Sequence, residues 1–271
     1  MKSKRVKTKF FSYFILIVCV FVGSDVTLWG QKHFAAGELV RKDGSIIQYK
    51  MLEPRRIKAS KKYPLVIFFH GAGERGVDNQ KQLVHGSKLF EKRRNRRKFP
   101  AYVVFPQCPV DDYWAKVDID RSDKDDPFRF DYRGAPTTAL KGVFELIQYY
   151  LKMPTVDPER IYIMGLSMGG MGVYEAISRH PEWFAAAIPI CGGGDLAFVP
   201  SFAEKVPIWA FHGALDDVVP PKYSRNMMQE IIFKGGFPRY TEYPDANHNA
   251  WDRAFADKNL LPWLFEHKKK Q

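Results

Sequence analysis

The sequence predicts an α/β protein: a doubly wound, mainly parallel eight-stranded sheet with helices on both faces and an antiparallel hairpin at its N-terminal end. Three observations carry this expectation. Continuous apolar runs, such as Pro64 to His70 and Ala101 to Pro106, read as strands buried on both faces. Such runs alternate with segments of helical spacing, as repeated βα units do. One strand-like segment, Arg160 to Met164, runs into Gly165-Leu166-Ser167-Met168-Gly169-Gly170 and then into a helix-like run, Met171 to His180. Strand, G-x-S-x-G and helix together describe a nucleophile elbow. A Cβ two residues before or after Ser167 would clash with a neighbouring element, so glycines flank it.

The elements follow in order. Strand-like runs near Glu38 to Arg41 and Ser45 to Leu52 flank Lys42-Asp43-Gly44, which carries the Asp-Gly hairpin signal. Pro64 to His70 and Ala101 to Pro106 are the next two strands. Thr138 to Lys152 has helical spacing through Leu140, Val143, Leu146, Ile147 and Tyr150. Ile161 to Met164 leads into the elbow. Ala185 to Cys191 and Pro207 to Phe211 are further strands, and Tyr223 to Phe233 is a helix. Tyr240 to Tyr243 is the last strand, and Trp251 to Phe265 is expected to be one last helix.

The chain has 271 residues, 45% of them hydrophobic, enough for one sizeable core. Residues 1–30 read as a secretory signal peptide, with a basic start from Lys2 to Lys9 and an apolar run from Phe10 to Val22. That run is short for a membrane span, although an uncleaved anchor is the alternative reading. Val18 stands before Cys19 where a lipoprotein signal wants a small residue, which argues against lipidation. The expected mature unit is a single domain over 31–271, secreted or periplasmic, with no stable membrane insertion once the signal is cleaved. The formal charge is +12. Five basic residues and one acidic residue lie within 1–30, so the remainder is near +8. Much of it lies in Glu91 to Lys98 and Lys268 to Lys270. No aromatic platform is interleaved with these charges, so nucleic acid is not an expected partner. A solvated helix-to-strand connection is the preferred reading of 91–98, over a patch for an anionic polymer.

Asp111 to Gly134 breaks the βα rhythm. It leaves the carboxyl end of a strand, where open α/β sheets bind ligands, and carries Tyr113, Trp114, Phe128, Phe130 and Tyr132. It reads as a substrate-binding loop or cap. Its aspartates lack the Gly and the closing Glu of an EF-hand loop, so no metal is expected.

A serine hydroxyl needs a base, and the base needs an acid to hold its tautomer. Asp216 and Asp217, after the strand Pro207 to Phe211, are both candidates for the acid. Whichever is not the acid suits a helix N-cap before Pro220 and Pro221. His248 follows both the last strand and the acid, which gives the order Ser, Asp, His. The two oxyanion donors are expected from the backbone N–H groups of Met168 and Ala72, the latter in the loop Gly71 to Gly76.

The pieces HGAGERG (70–76), PQCP (106–109) with Trp114 beyond it, GLSMGG (165–170), HGALDDVVP (212–220) and HNAWD (248–252) run in one order along the chain. Together they resemble the α/β-hydrolases, and more narrowly the secreted phospholipase/carboxylesterase and feruloyl-esterase-like branch, some members of which are labelled predicted peptidases. The resemblance implies that Asp216, third after the His-Gly pair, is the acid. It also implies a strand order that separates the strands ending near Cys108 and Cys191 by two others. That is roughly 14 Å, beyond the ~7 Å a disulfide spans, so two free thiols are expected. It implies a cofactor-independent serine esterase acting on small-molecule or polysaccharide esters, with Trp114 and Trp251 as candidate substrate contacts. A peptidase with the same triad, or a non-catalytic carbohydrate-binding protein on this scaffold, are the alternatives.

Overall fold

The computed structural model describes residues 33–269. The signal segment expected at 1–30 lies outside them. Strands β1 (Ala35–Val40) and β2 (Ile46–Leu52) form the antiparallel hairpin. Gly44 turns it at φ 82°, and the Asp43 carboxylate accepts the Ser45 N–H at 3.0 Å. Then come β3 (Tyr63–Phe69), the short helices α1 (Ser87–Glu91) and α2 (Arg93–Lys98), and β4 (Tyr102–Pro106). β5 (Val117–Ile119) and β6 (Phe128–Phe130) pair only with each other. The chain continues through α3 (Thr138–Leu151), β7 (Val156–Leu166), α4 (Met168–Arg179), β8 (Ala186–Ile190) and β9 (Trp209–Gly213). It ends with α5 (Lys222–Phe233), β10 (Arg239–Tyr243), α6 (Trp251–Ala256) and α7 (Leu260–Glu266).

The large sheet has eight strands in the order β1-β2-β4-β3-β7-β8-β9-β10. Its six strands from β4 to β10 run parallel, while β2 meets β4 antiparallel. β3 shows why the central runs are apolar throughout. Leu65, Ile67 and Phe69 enter the core on one face with Leu140, Val143 and Ile147 of α3 and with Val173 and Ile177 of α4. Val66 and Phe68 enter the core on the other face with Leu89, Phe90, Leu261 and Leu264. Alternate residues point to opposite faces, and both faces are covered. Cys108 and Cys191 are buried and free, with β3 and β7 between their strands.

Three boundaries differ from expectation. β1 begins at Ala35 and β7 at Val156, both earlier than the apolar pattern indicates. The helix expected over 251–265 is two helices, broken at Asp257 to Asn259. Pro262 has no N–H and its ring crowds the preceding turn, so it fits only near a helix start, and α7 begins two residues before it. The basic run 91–98 does contain an exposed helix, α2, that leads into β4.

Candidate active site

Ser167 sits between β7 and α4 with φ 55° and ψ −122°, a conformation L-residues rarely adopt. Its N–H is held by the Ile190 carbonyl at 2.8 Å. A Cβ on Gly165 would lie 2.4 Å from the Gly169 carbonyl oxygen. A Cβ on Gly169 would lie 2.3 Å from the Phe69 carbonyl oxygen. Strand and helix are therefore in backbone contact on either side of the serine, which is left half-buried at the carboxyl end of the sheet.

The residues expected as acid and base arrive on neighbouring strands. β9 and β10 are parallel and in register from Trp209/Arg239 to Gly213/Tyr243, so the loops after them leave side by side. They are tied together by Ala214 N–H to Tyr243 O (2.9 Å) and Leu215 N–H to Ala246 O (3.0 Å). The Asn247 side-chain oxygen accepts both the His248 N–H (2.6 Å) and the Asp217 N–H (3.2 Å). As a result His248 Nε2 lies 2.9 Å from Ser167 Oγ, and His248 Nδ1 lies 2.7 Å from Asp216 Oδ2.

Asp216 is buried, and Asp217 is exposed. Burial alone would raise the Asp216 pKa, but hydrogen bonds from His212 and His248 outweigh it and hold the carboxyl well below the usual carboxylate range. Its other oxygen accepts the N–H groups of Val218 (3.0 Å) and Val219 (2.8 Å). An ionised Asp216 only accepts, so His248 Nδ1 carries the proton toward it and Nε2 is free to accept the Ser167 hydroxyl. Neither aspartate caps α5: its N-cap is Pro221, with no side-chain cap bond. The N-cap role expected for the second aspartate is therefore not observed: Asp217 is exposed and lies four residues before the Pro221 cap, while Asp216 spends its spare oxygen on its own turn.

His212 lies near the end of β9 and precedes Asp216 in the chain, so the order Ser, Asp, His does not point to it. It is fully buried, and its Nε2 lies 3.1 Å from Asp216 Oδ2 and 2.8 Å from the Val219 carbonyl. Its Nδ1 lies 2.7 Å from Ser224 Oγ, which in turn lies 2.8 Å from the Gly192 carbonyl oxygen. Only the short spacing His212-Gly213-Ala214-Leu215-Asp216 hints at this contact in sequence.

The loop after β3 runs beside the serine: a Cβ on Gly71 would come 3.6 Å from Ser167 Cβ. Ala72 opens a single 3₁₀ turn, and Met168 opens α4, so both N–H groups belong to first turns that lack internal acceptors. His70 anchors this loop. Its Nδ1–H donates to Gly71 O at 2.6 Å, while Nε2 accepts the Cys108 N–H at 3.0 Å. Burial pushes its pKa down to about 4, which keeps the ring neutral. Gln107 Nε2 donates to the Glu74 carbonyl, and Gly76 N–H donates to the Cys108 carbonyl. HGAGERG and PQCP are thus two sides of one hydrogen-bonded unit.

The connection 111–134 packs over the acid loop. Phe128 and Tyr132 join Val219 and Tyr223 in a small apolar cluster, and Arg121 donates to the Val218 carbonyl at 2.5 Å. Trp114, expected to contact substrate, is instead wholly buried, its ring stacked on Phe69 at 4.6 Å. A large flat indole with an apolar partner gains more from the core than from water. Trp251 is half-buried, and its ring meets His248 edge-on at 5.2 Å. Cys191, Asp216 and His248 bring metal-type donor atoms within 4.8 Å of one another. Burial and the Asp216 carboxylate push the Cys191 thiol up, so it keeps its proton and offers no thiolate.

Residues 56–259 match the family described as Phospholipase/Carboxylesterase. The chain belongs to that family. A solved thermostable esterase is 37% identical, with a TM-score of 0.78 over 88% of this chain and 64% of that one. A bifunctional acetylxylan esterase/xylanase of Neocallimastix patriciarum is 34% identical over 90 residues, 33% of this chain. The match spans only 13% of that enzyme's length. A ferulic acid esterase structure shares the fold, at 16% identity and a TM-score of 0.60, over 86% of this chain and 97% of its own. Each is a protein this phospholipase/carboxylesterase family member resembles.

Proposed function

We propose that this protein is a secreted serine esterase that hydrolyses carboxylic esters, acting on acyl or feruloyl groups of plant polysaccharides. The observation that carries the proposal is the unbroken series Ser167 Oγ, His248 Nε2, His248 Nδ1, Asp216 Oδ2, with contacts of 2.9 and 2.7 Å. Ser167 Oγ attacks the ester carbonyl while His248 Nε2 takes its proton, and Asp216 holds the imidazole and stabilises the cation that forms. The Met168 and Ala72 N–H groups receive the developing oxyanion. His248 then passes the proton to the leaving alkoxide, the C–O bond breaks, and the acyl group stays on Ser167. Water, deprotonated by His248, releases the acid. No step calls for a metal or cofactor.

Three features support the substrate class. The half-buried serine is open to an ester carried on a larger molecule. The signal-like start of the chain fits an extracellular polymer. A region of the chain is similar to an acetylxylan esterase/xylanase. The test is turnover of p-nitrophenyl acetate, methyl ferulate, acetylated xylan and a casein-type peptide by the mature chain and by Ser167→Ala. The proposal expects ester cleavage that disappears in Ser167→Ala. Exclusive peptide cleavage would establish the peptidase alternative. Xylan binding without turnover would establish the non-catalytic one.

A further inference from the structure

Far from Ser167, at the amino ends of β3, β4 and β7, the fold opens a cleft of about 1020 Å³. The link between β2 and β3 brings Arg55, Arg56, Lys58, Lys61 and Lys62 to its wall. Helix α2 adds Arg96, Arg97 and Lys98, and β7 adds Arg160. Against these nine cations the lining holds a single carboxylate, Glu266. Among the described residues, only Arg160 of the nine has an ion-pair partner, Asp157 at 2.7 Å. Arg96 Nε is buried with no hydrogen-bond acceptor. Burial and the neighbouring Arg55 lower the Arg96 pKa, as expected where like charges are pressed together. The basic tail extends the field, since Lys269 N–H donates to the Glu159 carbonyl beside Arg160.

Packing unpaired cations around one concavity is electrostatically unfavourable unless an anion comes to it. The shape and the walls narrow the choice of anion. The cations line a concavity rather than a flat face, which suits a polymer chain better than a planar bilayer. The aromatic rings are walls rather than platforms. Tyr63 is buried, and Phe99 packs on Phe265 at 5.1 Å with Lys98 over its face, so the rings of the lining are engaged in packing rather than spaced as stacking platforms for nucleobases. The forked guanidinium groups match carboxylates in pairs.

We infer that this cleft is a second binding site, for a linear polysaccharide bearing uronate carboxylates, on the opposite end of the sheet from the ester site. Seven residues of extended β7 separate Arg160 from Ser167, on the order of 23 Å. A chain held here leaves the serine free for an ester elsewhere on the same polymer or on a neighbouring one. The cleft therefore acts as a tether that raises local substrate concentration.

Calorimetric titration tests this with polygalacturonate, which carries the carboxylates and needs no ester chemistry. The protein and a Lys61→Gln, Lys62→Gln, Arg97→Gln, Lys98→Gln variant are compared at low and high salt. All four positions are exposed, and unchanged p-nitrophenyl acetate hydrolysis reports an intact fold. The expected result is salt-sensitive binding that weakens at least tenfold in the variant. Arg55→Gln with Arg56→Gln, in the exposed link, makes the same comparison should the first variant not fold. Absent binding, or equal binding by the variants, would overturn the inference. So would tighter binding of single-stranded DNA or of phosphatidylserine vesicles than of polygalacturonate. Loss of esterase activity in Ser167→Ala leaves this readout untouched, so the two readings fail separately.

Discussion

His212 Nε2 lies 3.1 Å from Asp216 Oδ2, the same oxygen that His248 Nδ1 approaches at 2.7 Å. The proposed acid therefore has a second imidazole behind it, which makes His212 a positioning residue for Asp216. Its hydrogen bond helps hold the Asp216 carboxyl down, so its loss must raise that group. His212→Asn keeps an amide at the Nδ1 position but cannot reach Asp216, while His212→Gln places one near Nε2. A hydrogen bond to a charged group is worth about 1.5–3 kcal/mol, or roughly ten- to a hundredfold in rate. Esterase kcat should fall by that much in His212→Asn, with the deficit growing toward acid pH, and recover in part in His212→Gln. Equal losses in both variants, with no pH dependence, would mean that His212 is only packing.

Asp216 and Asp217 separate cleanly. Asp216→Asn leaves His248 in the wrong tautomer and should lower kcat by on the order of 10⁴. Asp217 is exposed, and its contribution to the site is a backbone N–H, so Asp217→Asn should stay within about twofold. Steady-state kinetics on p-nitrophenyl acetate measure both.

The elbow stores strain that a stability measurement can read. Ser167 has φ 55°, which glycine adopts freely and a residue with a Cβ, serine or alanine alike, adopts only under strain. Ser167→Gly and Ser167→Ala should both be inactive, with Ser167→Gly the more stable by about 1 kcal/mol in urea unfolding. Gly169→Ala forces a Cβ to 2.3 Å from the Phe69 carbonyl oxygen and should destabilise by at least about 2 kcal/mol.

His70 makes stability depend on pH. Its pKa is about 4 in the fold, against 6.5 for an unburied imidazole. Between those values the unfolded chain binds a proton that the native chain does not, so native stability rises with pH. The contribution is complete above pH 6.5 and lost progressively as pH falls to about 4. One pKa unit is about 1.4 kcal/mol, which puts the total on the order of 3 kcal/mol. Urea midpoints measured across that window should follow this course, and His70→Gln should flatten it.

The parts of the fold that could be read in advance are those where one residue type has one physical use. The buried runs, the Asp43-Gly44 turn and the elbow glycines are of that kind. β1 begins earlier than its apolar pattern because Ala35, Ala36 and Gly37 carry no strand signal of their own. Gly37 pairs with Tyr49, whose ring lies where a Gly37 Cβ would be. Ser167, His248 and Asp216 followed from order and resemblance, and the structure brings all three within hydrogen-bond reach. His212 did not follow, since its contact depends on how tightly the turn after β9 closes. Trp114 misled because an aromatic in a ligand-facing loop can equally turn inward, as this one does onto Phe69.

The proposed mechanism turns on an acyl group carried by Ser167. Its most direct test is intact-protein and peptide mass spectrometry after rapid acid quench of a p-nitrophenyl acetate reaction. One acetyl group is expected on the peptide containing Ser167, formed in a burst and absent from Ser167→Ala. Acetylation of a different residue that turns over at the steady-state rate, or full ester hydrolysis by Ser167→Ala, would contradict it.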